Sequence, residues 1–364
     1  MQHLIHSIFT ATGSYIPKKI VKNEEFLYRN FYNSNKEKIL KPNQEIVAKF
    51  EEITGISERR YITDNLVTSD IAYLSALDAL NSSGFDKESI DYIIVAHNFG
   101  DVKSDNRRSD FVPSLAARVK HRLGILNPKT VAYDIAFGCP GWLQAVIQAD
   151  YYIKSGDAKR VLVIGAEALS RISDPNDIDS MIYSDGAGAV ILEARESEEP
   201  VGILSHVSRS DTMEFSKLLW MDSSYNPEFS ENDLFLKMLG HKLYKYALQT
   251  VPGAIKECLE KVKLTLEDIK KVLIHQANGK MDEEILNRIF NLYGVTEGLT
   301  EKVKAIMPMT ISWLGNSSVA TLPTLFDLML KGKIENHIAN SGDTFVFASV
   351  GAGMNVNCLV YKMP

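Results

Sequence analysis

The chain has 364 residues, a formal net charge of −6, and is 45% hydrophobic and 24% charged. That length suits two domains or one large duplicated domain, and that composition supports a sizeable buried core. The acidic balance and the lack of a long basic stripe argue against a nucleic-acid partner, and no apolar run of about 18 residues predicts a membrane span.

The N-terminus lacks the charged start, apolar stretch and small-residue cleavage site of a secretion signal. Three cysteines, Cys139, Cys258 and Cys358, are widely spaced and odd in number. They suggest neither a disulfide framework nor a zinc site. A reducing, cytoplasmic setting is expected.

In chain order, residues 28–44 mix aromatics, asparagine and lysine, and residues 101–110 are almost wholly polar. Both read as surface excursions or lids. Between them lies an amphipathic helical pattern at 71–80. After it come the turn Ser83-Gly84 and a buried strand ending at Val95-Ala96. Gly138-Cys139-Pro140-Gly141 then opens a helical period through Leu143, Val146 and Ile147. Ser155-Gly156-Asp157 closes it, and an apolar strand runs over 160–165. Ser184-Asp185-Gly186-Ala187-Gly188-Ala189 leads into another apolar strand, and the charged, turn-rich stretch 193–200 reads as a boundary.

The second half repeats these landmarks. A helical pattern at 254–262 precedes Leu264-Thr265-Leu266 and the strand Val272-Leu273-Ile274, which ends at His275. Gly315-Asn316-Ser317-Ser318 opens a helical pattern, Ser341-Gly342-Asp343 follows, and an apolar strand runs over 344–349. Three landmarks recurring in one order predict a duplication, with halves 1–198 and 199–364. Helices alternating with short apolar strands predict α/β layers built of βαβαβ-type units. If the halves fold alike about a pseudo-twofold axis, two helix N-termini face each other, one bearing the Cys139 thiol and the other the Asn316 amide.

Those residue types suit acyl-thioester chemistry. A cysteine at a helix N-terminus feels the positive end of the backbone dipole, worth about 0.3–1 kcal/mol. This predicts a lowered thiol pKa. Gly138 permits a strained turn into the helix. His275, at the carboxyl end of an α/β strand, points into the usual ligand crevice. A neutral imidazole there can donate a hydrogen bond to a carbonyl oxygen or exchange a proton with a thiol. Asn316 offers a donor that does not titrate, which suits an oxyanion site. Ser349-Val350-Gly351-Ala352-Gly353-Met354 lets backbone N–H groups approach a ligand, and with the Cys139 N–H it can form an oxyanion hole. Cys258, on a helix stripe, and Cys358, in an apolar strand, read as buried structural thiols.

Taken together, Cys139, His275-Gln276-Ala277-Asn278 and Gly315-Asn316-Ser317-Ser318 resemble the 3-oxoacyl-[acyl-carrier-protein] synthase III family of thiolase-fold condensing enzymes. The likeness covers nearly the whole chain. It extends to Gly13-Ser14-Tyr15-Ile16-Pro17, Thr54-Gly55-Ile56, Pro113-Ser114-Leu115 and Met238-Leu239-Gly240. The resemblance implies a thiolase-like fold layered α-β-α-β-α. It also implies an acyl group held on Cys139 and decarboxylating condensation with a malonyl thioester whose oxygen meets His275 and Asn316. The N–H groups of Cys139 and Ala352 would form the oxyanion hole, and no metal or redox cofactor is implied. Expected partners are acyl carrier protein and acyl or malonyl thioesters, with Lys245, Lys280 and Asn278 receiving the carrier or its phosphopantetheine. A homodimer is expected, with the strand at 160–165 as an interface element.

Three departures stand out. The stretch Lys49-Phe50-Glu51-Glu52-Ile53 carries neither the tryptophan nor the arginine with which relatives that prime from acyl coenzyme A commonly dock it. Pro140 follows the nucleophile, where a first helical turn tolerates proline. Trp313 lies just before Asn316 and is expected to reshape the acyl pocket. Competing readings are acyl transfer or non-decarboxylating condensation on the same fold, and a non-catalytic partner subunit. Carbon dioxide release from a malonyl thioester separates decarboxylating condensation from the first two; an unmodified Cys139 would favour the last.

Overall fold

A computed structural model describes residues 4–229 and 232–364. The long strand β1 (Leu4–Tyr15) opens the chain, and a small hairpin pairs β2 (Lys19–Lys22) with β3 (Glu58–Tyr61). Four further strands follow: β4 (Tyr92–Ala96), β5 (Val131–Ile135), β6 (Arg160–Ala168) and β7 (Asp185–Ser197). They form a five-stranded sheet with β1 in the order β1-β7-β6-β4-β5.

The chain then builds β8 (Gly202–Ser210) and a two-stranded ribbon of β9 (Leu219–Asp222) and β10 (Phe235–Met238). Last come β11 (Lys271–Ile274), β12 (Thr344–Gly351) and β13 (Asn355–Lys362). The second sheet has the order β11-β12-β13-β8. Its first pair is parallel and the next two are antiparallel. The run β4-β6-β7-β1 in the first sheet has the same senses. The two halves thus share one strand order, and β7 ends just before residue 198.

Two helices lie between the sheets. Gly141–Ser155 buries Trp142, Leu143, Val146 and Ile153, and Thr321–Leu330 buries every residue from Thr321 to Met329. A helix apolar all round is stable only where both faces are covered. Here Trp142, Phe326, Phe347, Phe9 and Tyr361, from both halves, form one core between the layers. On the outer face of the first sheet lie helices Thr68–Ser83 and Leu115–Leu123. On the outer face of the second lie Gly240–Glu260, Gly279–Leu292 and Leu299–Ile306. The order is helix, sheet, helix, sheet, helix, the layered thiolase-like fold that the sequence resemblance implied.

One expectation fails here. The strand at 160–165 lies inside the sheet, hydrogen-bonded to β7 on one side and β4 on the other, so it offers no free edge. The open edge on that side is β5, whose Val131 is exposed. Of the two readings of the polar stretch at 101–110, surface excursion or lid, the surface excursion fits: most of it is exposed and none of it lines the cavity described below. Asp101 is buried there, gripped by Ser69 and Arg118, and the excursion closes on itself through an Asp101–Asp110 bridge. The 28–44 excursion does reach the site, through Ile39 and Lys41.

Candidate active site

The nucleophile turn is built by two interlocked glycines. Gly138 takes a φ of +68°, and a Cβ there would lie 2.7 Å from the Ala352 nitrogen. A Cβ on Gly351 would lie 2.5 Å from the Cys139 nitrogen. Without side chains at these two points, the turn before Cys139 and the hairpin turn at Ala352 press backbone against backbone. The amides of Cys139 and Ala352 are thereby brought to one wall of a cavity of about 910 Å³. That is near the upper end of the usual range for small-molecule sites.

Cys139, His275 and Asn316 all line this cavity, although they come from three distant segments. His275 follows β11, and its backbone N–H donates to Ala348 O at 2.8 Å. Its ring is 4% exposed, and its buried Nδ1 has no partner among the described residues. An orphan acceptor is better tolerated than an orphan donor, so the proton belongs on Nε2, toward the cavity. Burial pushes the imidazole pKa down to about 4, so the ring is neutral near pH 7.

Asn316 corrects the duplication argument in one respect. It does not begin a helix: the helix starts at Thr321, after a 3₁₀ turn over Ser318–Ala320. Instead Asn316 forms a parallel bridge with Tyr183. Its Oδ1 accepts the Ser318 N–H at 2.8 Å, which fixes the amide and leaves Nδ2 as the free donor.

Cys139 also departs from expectation. Burial pushes its thiol up to about 11; a hydrogen bond from Ser318 pulls it down, and the nearby Glu167 charge adds to the rise. The helix dipole does not win because the helix begins at Gly141, and Pro140, its cap, has no N–H to offer.

Three residues not singled out from the sequence, Ser318, Asn98 and Glu167, set the surroundings of the thiol. Ser318 Oγ donates to Cys139 Sγ at 3.5 Å. Asn98 Nδ2 donates to Ser318 Oγ at 3.3 Å and to Glu167 Oε2 at 2.7 Å, while Asn98 Oδ1 accepts the Gly138 N–H at 2.8 Å. Burial pushes Glu167 up to about 7. The positions of Asn98, at the end of β4, and Glu167, late in β6, follow the strand-end rule that pointed to His275.

The cavity mouth carries Lys41, Lys49, His241 and Lys280. Lys280 is exposed, 4.0 Å from Glu52, which also pairs with Lys49 at 3.0 Å. Asn278 lines the cavity but spends its Oδ1 capping helix Gly279–Leu292, accepting the Met281 N–H at 3.1 Å. Lys245 is exposed on helix Gly240–Glu260 and is not part of the cavity wall. Trp313 likewise does not reshape this cavity. It lines a separate hollow of about 380 Å³, with the Arg60 guanidinium 5.6 Å from its ring centroid. Cys258 and Cys358 are buried away from the site.

Two α/β layers with a thiol, an imidazole and a carboxamide on one cavity define a condensing enzyme of the thiolase-like fold. Comparison with known proteins narrows this class. The family model described as 3-oxoacyl-[acyl-carrier-protein (ACP)] synthase III matches residues 133–212, and its C-terminal counterpart matches 259–363. A β-ketoacyl-[acyl-carrier-protein] synthase III of Staphylococcus aureus (strain Newman) is 32% identical over 352 residues, 96% of each chain.

Solved structures agree. The 3-oxoacyl-[acyl-carrier-protein] synthase III of Aquifex aeolicus VF5 has a TM-score of 0.76 at 27% identity, covering 98% of this chain and 99% of that one. The synthase III of Thermus thermophilus gives 0.78 at 28%, with the same coverage. The priming β-ketosynthase of the R1128 polyketide pathway gives 0.78 at 25%, covering 99% and 96%. The chain belongs to the 3-oxoacyl-[acyl-carrier-protein] synthase III family, whose members are acyltransferase-class condensing enzymes.

Proposed function

We propose that this enzyme joins an acyl group held on Cys139 to a malonyl-type thioester by decarboxylating Claisen condensation, giving a 3-oxoacyl thioester. The observation that carries this reading is the convergence of Cys139, His275 and Asn316 on one cavity. The Cys139 sulfur attacks the donor thioester carbonyl, and its proton leaves on the departing carrier sulfur. The acyl oxygen rests against the N–H groups of Cys139 and Ala352 during this step. A malonyl thioester then enters, and its thioester oxygen accepts hydrogen bonds from His275 Nε2 and Asn316 Nδ2. Loss of carbon dioxide leaves an enolate, whose developing charge those donors stabilise. The enolate carbon attacks the acyl-Cys139 carbonyl, the tetrahedral adduct expels the sulfur, and the thiol regains a proton from solvent.

A neutral His275 suits this role. With its pKa near 4 it adds no competing charge and acts as a donor, not as the base that takes the thiol proton. The substrates are acyl and malonyl thioesters on carrier protein or coenzyme A, and the lysines at the cavity mouth suit an acidic carrier or a phosphopantetheine phosphate. Residues 1–198 and 199–364 are taken as the two halves. The enzyme is placed in the cytoplasm; among the described residues no helix is long and apolar enough to cross a membrane. It is taken as a homodimer joined through the open β5 edge, since an unpaired strand edge invites a partner strand.

The test is adduct mass on Cys139 after incubation with a panel of acyl thioesters, followed by malonyl thioester with carbon dioxide collected. An acyl adduct that disappears with matched release of carbon dioxide and 3-oxoacyl product is the expected result. No adduct with any donor would sink the assignment.

A further inference from the structure

One wall of the cavity is formed by the segment after β6, including the 3₁₀ turn Ile178–Met181. Behind it lies a fully buried ammonium. Lys237 pairs with Asp174 and Asp177 and sits 3.4 Å from the Tyr225 ring centroid. Asp174 also accepts from Ser224 Oγ at 2.9 Å and the Tyr225 N–H at 2.8 Å. Asp177 accepts the Asp179 N–H at 3.0 Å. This knot is internally satisfied.

Asp179 stands outside it. Its carboxyl receives no hydrogen bond among the described residues, and it is the sole carboxylate on the cavity wall among them. Four residues on, Tyr183 is 3% exposed, lies on the same wall, and has a buried hydroxyl with no partner. Asp179 is half-buried, whereas the Tyr183 hydroxyl is fully buried, and buried polar groups almost always find partners. The two groups do not bond to each other, and the wall around them is apolar: Leu169, Ile178, Ile182 and Leu236. A plain alkyl chain drawn along this wall would leave both unsatisfied.

We propose that Asp179 and Tyr183 form a polar subsite for an oxygen substituent, hydroxyl or keto, on the acyl chain carried by Cys139. The enzyme therefore selects oxygenated acyl thioesters over plain alkyl ones. This deepens the functional reading above and rests on Cys139 being the acyl carrier. The Tyr183 hydroxyl donates to either oxygen. The Asp179 carboxyl accepts from a hydroxyl when ionised and donates to a keto group when protonated. Burial first, and then the Asp177 charge, push its pKa up to about 7, so both forms are available near neutral pH.

The test compares rates of Cys139 adduct formation, read by intact mass, with N-acetylcysteamine thioesters of octanoate, 3-hydroxyoctanoate, 3-oxooctanoate and 5-hydroxyoctanoate. The natural chain should take at least one oxygenated donor about tenfold faster than octanoyl, the worth of one or two hydrogen bonds. The hydroxy and keto donors separate the two oxygen types. Asp179→Leu and Tyr183→Phe should each collapse the ratio of oxygenated to plain rates; Asp179→Asn, closer in shape, guards against misfolding of the leucine variant. Equal rates across the panel, or a preference that survives all three substitutions, overturns the subsite. Absence of any adduct would overturn it together with the acyl-carrier role of Cys139, a result distinct from adducts formed without preference.

Discussion

Ser318 holds its hydroxyl 3.5 Å from the Cys139 sulfur from a left-handed backbone, with φ at +54°. That conformation is costly for a residue with a side chain and persists where the surroundings enforce it. Here the Asn98 side chain, bonded to both Ser318 and Gly138, enforces it. The hydrogen bond favours the thiolate, so Ser318→Ala should raise the pH at which the thiol ionises. Alkylation of Cys139 by iodoacetamide at fixed pH should slow about three- to tenfold, as expected for one neutral hydrogen bond of ~1 kcal/mol. An unchanged pH–rate profile would remove Ser318 from the thiol's support.

Glu167→Gln should act in the opposite sense. The carboxylate disfavours a second negative charge at Cys139, so its removal should move the alkylation profile to lower pH. Stability should respond as well. Glu167 titrates at about 7 in the folded chain against an ordinary 4.5, so the folded state keeps a proton that the unfolded state releases. Stability therefore falls as pH rises from about 4.5 to about 7 and levels off above. The substitution should flatten that fall, seen as a smaller difference in urea midpoint between pH 5 and pH 8.

The contrast between these supporting residues and the central three shows what was readable from the chain. Cys139 and His275 announce themselves locally, as a thiol after a left-handed glycine and an imidazole at a strand end. Asn316 was legible because Gly315-Asn316 echoes Gly138-Cys139. The echo misplaced its helix by five residues, since nothing local distinguishes a 3₁₀ turn from a helix start. Ser318 and Asn98 act across the boundary between the halves, and such contacts leave no periodic trace. Trp313 failed for a related reason: spacing along a loop does not say which of two neighbouring hollows a side chain faces. The interior place of β6 depends on sheet order, which the apolar run at 160–165 does not encode.

His275 and Asn316 should divide the reaction in two. Both act as donors to the malonyl-derived oxygen, and neither is required for transfer of the first acyl group to sulfur. His275→Ala and Asn316→Ala should each lower carbon dioxide release about 10²–10³-fold, the cost of losing one oxyanion donor. Acyl adducts on Cys139 should still form. Because His275 titrates near 4, carbon dioxide release in the unsubstituted enzyme should show no inflection from this group between pH 5 and pH 8. Parallel loss of adduct formation and decarboxylation would mean that these residues serve the thiol instead.

The cavity mouth offers a test of carrier docking that discriminates between two lysines. Lys280 stands at the opening, where Glu52 is shared with Lys49, whereas Lys245 lies off the cavity wall on helix Gly240–Glu260. Both are exposed, so reversing either charge should cost little stability. An acidic carrier approaching the mouth should feel Lys280 most, and attraction between exposed charges is screened over about 10 Å at moderate salt. Lys280→Glu should therefore weaken carrier-protein binding severalfold at low ionic strength, with the difference shrinking as salt is added. Lys245→Glu should have a smaller effect. Surface plasmon resonance across a salt series measures both. Equal losses from the two substitutions would shift the docking face outward along helix Gly240–Glu260 and away from the opening that leads to Cys139.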